Sequence, residues 1–97
     1  MNNPSLIAVS NAYRRRFGQW PTWARFHPVH FGHWVSGEDP DALVRLGSRM
    51  RLIVTPEEPS PRMTVGGQPG ELTYDDGVTD DDWDPSEFNR WLSNDNA

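Results

Sequence analysis

Large apolar residues fall in short groups along the chain, each bracketed by Pro, Gly or Asp. Leu6, Val9, Tyr13 and Phe17 recur at helical spacing behind Asn3-Pro4, and Gly18 follows. Asn suits an N-cap, Pro the first helical turn and Gly a left-handed stop, so the pattern predicts a helix over 4–17. Arg14, Arg15 and Arg16 fall in its last turn, where cations complement the helix dipole.

Phe17, Trp20, Trp23 and Phe26 continue at every third position, but Pro21 forbids one helix through them. A short helix over 21–27, begun by Pro21 and ended by Pro28, fits the spacing. "VHFGHWV" at 29–35 reads as a strand with Gly32 at a bulge. Asp39-Pro40 opens another helix, with Leu43, Val44 and Gly47 facing inward. "RMRLIVTP" at 49–56 is rich in β-branched and apolar residues and closes on Pro56, as a strand does. "RMTV" and "ELTY", joined by "GGQPG", predict a hairpin with a five-residue loop.

From Asp75 the chain turns acidic, "DDGVTDDDWDPSE". At the end of this stretch Asp84 is placed as an N-cap, Pro85 as the first helical residue and Glu87 as the partner of a capping box. Trp83 and Phe88 are spaced for a hydrophobic staple, and Phe88, Trp91 and Leu92 form one apolar stripe. These features predict a short amphipathic helix over 85–93. The expected architecture is a small single-domain α+β fold: two to three helices on a three-stranded, mostly antiparallel sheet, with an aromatic core drawn from residues 6–35. Residues 1–74 make the globular core and residues 75–97 an acidic segment with a terminal helix. No internal repeat is visible.

Composition narrows the function. At 97 residues the chain is one domain, and its hydrophobic content of 35% is low. Five Trp and four Phe compensate, since each large ring buries on the order of 150–250 Å². There is no Cys, which excludes disulfides, thiolate catalysis and Cys-ligated zinc. No apolar run is long enough to span a bilayer, and "MNNPSLIAVS" lacks the basic start of a signal peptide, so the expected location is cytoplasmic.

The net charge of −5 is unevenly divided. Residues 1–55 carry seven Arg against three acidic residues, whereas residues 56–97 carry two Arg against eleven acidic residues. This asymmetry suggests either two surfaces with different partners or a tail that folds back on its own basic body.

Three constellations remain. His27, His30 and His33 stand three apart among aromatics, and a loop could converge them on a metal with Asp39 or Asp41 as a fourth ligand. Neither a helix broken by Pro28 nor a strand brings all three together, so packing among Trp and Phe is the plainer role. Arg14, Arg15, Arg16 and Arg25 offer phosphate contacts beside stacking rings, as in a nucleic-acid-binding protein, though the pI of about 4.9 argues against it. The third is the C-terminal acidic run, Asp75, Asp76, Asp80, Asp81, Asp82 and Asp84, with Trp83, Phe88 and Trp91. Acidic residues alternating with large rings suit docking on a partner protein with a basic surface, or imitation of a phosphate backbone. Alternatively, Phe88 and Trp91 complete this protein's own core.

Catalytic signatures are missing. Ser10, Thr22, Ser36 and Ser48 lie in no nucleophile context, a phosphate-binding loop needs a Lys the chain lacks, and the Asp run has no EF-hand spacing. The expectation is a small non-enzymatic interaction module without a cofactor, acting as an inhibitor, adaptor or assembly protein. A phage or mobile-element accessory protein is a concrete instance. Nucleic-acid binding and histidine-centred metal binding are the alternatives.

Overall fold

The computed structural model describes residues 1–94. Among them the chain forms five α-helices, one 3₁₀ helix and a four-stranded mixed sheet, an α+β domain with more elements than the sequence pattern predicts. Helix α1, Pro4–Phe17, matches its prediction at both ends. Asn3 Oδ1 accepts from the Leu6 N–H, and Gly18 closes the helix at φ 80°, donating its N–H to the Arg14 carbonyl. Seven α1 residues are buried, from Leu6 to Tyr13, so the helix is covered on more than one side. It packs on the hairpin strands below and beneath the C-terminal helices above.

Residues 21–27 do not form the short helix. Trp23–Phe26 is strand β1, with Ala24 and Phe26 buried and Trp23 and Arg25 on the other face. Pro21 and Pro28 leave too few residues for a stable helix, whereas a strand here gains ladders on both sides. It pairs in parallel with β2, Arg51–Val54, and antiparallel with β3, Thr64–Gly67.

The next segment reverses the prediction the other way: 29–35 is not a strand but lies within helix α2, Pro28–Ser36. Its cap is His27, whose Nδ1 accepts from the Val29 N–H. Phe31, Trp34 and Val35 then share one helical face against the core, and Gly32 lies in open space rather than at a bulge.

Helix α3, Pro40–Arg49, starts at its expected Asp39 cap. Its inward residues are Leu43 and Leu46; Val44 is 75% exposed and Gly47 lies at the surface, contrary to the predicted face. The β3–β4 hairpin forms as expected, with β4 at Gly70–Thr73. Gly67 pairs with Gly70, so the turn between them is Gln68-Pro69 rather than five residues. The sheet order is β2-β1-β3-β4, and the α2–α3 connection carries the chain between its two parallel strands.

The acidic stretch is folded. Helix α4, Tyr74–Gly77, follows β4 directly, and the 3₁₀ helix spans Asp80–Trp83. Helix α5, Ser86–Ser93, matches the predicted amphipathic helix, with Phe88 and Leu92 in the same hydrophobic cluster as Leu6, Phe26 and Val65. The predicted cap details differ. Pro85 is the N-cap residue of α5, and the capping box is one turn earlier, between Thr79 and Asp82. Glu87 instead meets Arg14 and Arg90, and Trp83 packs on Tyr74 while Phe88 meets Trp20 and Trp91. No helix among the described residues is long and apolar enough to cross a membrane.

Candidate functional site

The acidic residues divide into those that hold the fold and those that face solvent. Asp82 belongs to the first group, at 3% exposure. Its Oδ1 accepts from Arg15 Nε at 3.2 Å and its Oδ2 from Arg15 Nη2 at 2.9 Å, a two-point contact with α1. Oδ2 also accepts from the Thr79 N–H at 2.8 Å and the Thr79 hydroxyl at 3.2 Å. Burial pushes the Asp82 carboxyl up, but the Arg15 and Thr79 hydrogen bonds and the Arg15 charge outweigh it and hold the group below the usual carboxylate range.

Asn11 completes the clamp. Its Nδ2 donates to the Asp82 carbonyl at 2.7 Å and to the Asp84 carbonyl at 2.8 Å. Neither Asn11 nor Thr79 stood out in the sequence. The one available signal was a weakly helix-favouring Asn, beside Ser10, between the apolar Leu6–Val9 and Ala12–Tyr13 stretches of the helix.

Asp76 accepts from the Thr73 hydroxyl at 2.6 Å, Asp75 from the Ser60 hydroxyl at 3.4 Å, and Asp84, just before the Pro85 cap of α5, accepts from the Ser86 hydroxyl and N–H. These Ser86 bonds draw the Asp84 carboxyl downward. Asp80 and Asp81 are exposed and make no side-chain hydrogen bond or ion pair among the described residues. Trp83 is 39% exposed. Phe88 is fully buried and Trp91 stacks on Trp20 at 4.9 Å between centroids, so both serve the protein's own packing. The exposed members of the run are therefore Asp75, Asp76, Asp80 and Asp81 with Trp83, and the segment is held on α1 by the Arg15–Asp82 pair.

The arginine patch is largely engaged. Arg14 reaches Glu87 at 3.4 Å and lies 4.6 Å from the Trp20 ring, Arg15 holds Asp82, and Arg16 lies over Phe17. Arg25 is elsewhere, on the sheet face away from the core, paired with buried Glu58 at 2.9 Å. Glu58 also accepts from the Thr64 hydroxyl and the Ser60 N–H, so this buried carboxylate is fully met. The basic and acidic parts of the chain meet within one molecule.

The histidines border an open cleft of about 790 Å³ between the start of α1, α2 and the loop at Pro59–Pro61. His27 Nδ1 caps α2, His30 Nε2 lies 3.4 Å from Asn3 Nδ2, and His33 is exposed in the last turn of α2. Burial lowers the His30 pKa; a hydrogen bond to the Pro61 carbonyl opposes this, and the charges of Arg62 and His33 add to it. Asp39, proposed as a fourth ligand, is spent capping α3. Among the described residues no group of three His, Asp or Glu side chains is placed to hold a metal ion. Comparison with known proteins found no matching family model, curated protein or solved structure.

Proposed function

We propose that this protein is a small non-enzymatic interaction module that docks on a basic partner protein through the ridge of Asp75, Asp76, Asp80, Asp81 and Trp83. The observation that carries this reading is the division of labour around Asp82. One carboxylate is buried in hydrogen bonds, and its neighbours Asp80 and Asp81 are exposed without a side-chain hydrogen bond among the described residues, beside a large exposed ring, with the Arg15 charge within reach of Asp81. The first turns of α4 and the 3₁₀ helix accommodate these carboxylates, and a preformed acidic surface raises the rate of encounter with a cationic one. The ring supplies an apolar anchor of the kind that dominates interface energetics. Inhibition of the partner, by covering its basic surface, is the activity this arrangement suits best.

The test compares capture from an extract of the source cell by the wild-type chain and by the Asp80→Asn/Asp81→Asn variant. Asp82 is left intact because its loss disturbs the fold. A protein retained by wild type and reduced at least severalfold with the variant supports the reading. Identical retention by both, with both shown folded, refutes it.

A further inference from the structure

The ridge has a feature that total charge does not explain: the chain already shows how a guanidinium sits on its rings. Arg62 lies 4.5 Å from the centre of the Tyr74 ring, and its Nη1 donates to the Tyr74 hydroxyl at 2.6 Å. Tyr74 in turn meets Trp83 edge-on, with centroids 6.1 Å apart and planes at 72°. The result is a row of cation, phenol ring and indole that ends at an indole still 39% open to solvent.

The local helix type sets what stands next to that indole. Asp80–Trp83 is a 3₁₀ helix, in which side chains three residues apart eclipse one another. Asp80 and Trp83 therefore share one face, while Asp82 points inward to Arg15. A planar cation on the indole would find a carboxylate at its rim. Arginine suits both contacts better than lysine, because its flat guanidinium stacks on a ring and still presents N–H groups at its edge.

We infer that Trp83 and Asp80 form a receptor for an arginine side chain of the partner, extending the Arg62–Tyr74–Trp83 row by one cation. This rests on the docking reading above and specifies its anchor: the partner segment carries an exposed arginine flanked by further basic residues, which Asp75, Asp76 and Asp81 attract.

Titration of the ¹⁵N-labelled full chain with nona-arginine, and separately with nona-lysine, tests it without knowledge of the partner. The readout is the Trp83 indole N–H signal, assigned by its disappearance in Trp83→Phe. The expected result is a shift of that signal by nona-arginine at concentrations where nona-lysine moves it less, with arginine-peptide affinity falling about two- to fivefold in Trp83→Leu. Asp80→Asn should weaken both peptides. Equal response to both peptides with no loss in Trp83→Leu would overturn the arginine receptor while leaving a charge-only acidic ridge in place. A motionless Trp83 signal with nona-arginine would overturn it too, and the capture experiment would then decide the docking reading separately. Because the shift is read in the wild-type chain, a poorly folded variant does not block the test.

Discussion

Asp82 shows how a carboxylate that holds the fold can stand in sequence among candidate docking residues. In sequence it is one of three consecutive aspartates and indistinguishable from its neighbours. In the structure it is buried, clasped by Arg15 and Thr79, and its removal leaves the Arg15 guanidinium with only the Gly77 carbonyl and the Thr79 N–H without its acceptor. Asp82→Ala should destabilise the fold by about 1–3 kcal/mol, and Asp81→Ala by less than about 0.5 kcal/mol, in parallel urea melts. The pH dependence follows from the same contacts. The folded carboxyl titrates below its ordinary value of 3.8, so its contribution is fully present above that pH and is lost as the pH falls beneath it. His30 adds a separate acid sensitivity. Its folded pKa lies below the ordinary 6.5, so the unfolded chain takes up the proton first and stability declines as the pH falls below 6.5. Replacing it, as His30→Gln, should flatten the stability profile between about pH 7 and pH 5 relative to wild type, measured by thermal melts across that range.

At the scale of elements, the C-terminal helix is the decisive piece. Phe88 is completely buried and Leu92 nearly so, which makes α5 a wall of the core and not an appendage. Phe88→Ala should cost about 3–5 kcal/mol, and a chain ending near Thr73 should lose its near-ultraviolet circular dichroism. Retained native signal in that truncated chain would contradict the packing described here.

The helix itself was legible from its apolar stripe at Phe88, Trp91 and Leu92, as α1 was from Leu6, Val9, Tyr13 and Phe17 and the hairpin from its Gly-rich turn. The exchange of strand and helix between 21–27 and 29–35 was not. Trp23–Phe26 has a three-residue aromatic rhythm that looks helical, and only the ladders to β2 and β3 make it a strand. His27 as the cap of α2 was hidden because His is not among the usual capping residues. Gly66 was equally opaque. The Trp23 ring lies directly over it, where a Cβ would collide, so Gly66→Ala should destabilise by about 1–3 kcal/mol in a thermal melt.

Taken as a whole, the molecule uses its charge asymmetry internally before offering the remainder to solvent. Arg14 and Arg15 are matched by Glu87 and Asp82 across the α1–C-terminal contact, which orders the acidic segment. The candidate site was half legible for this reason. The acidic run and Trp83 stood out in the sequence, but which carboxylates remain outward depends on the Arg15 and Asn11 contacts, made across 67 and 71 residues of chain, together with the local Thr79 bonds. The same contacts fix the backbone that carries Asp80, Asp81 and Trp83 against α1. The most direct test of the docking claim is the association rate of the captured partner, once purified, as a function of salt, for wild type and Asp80→Asn/Asp81→Asn. The account predicts a steep fall of the wild-type rate with salt and a slower, flatter dependence for the variant. Superimposable curves for the two folded proteins would contradict it.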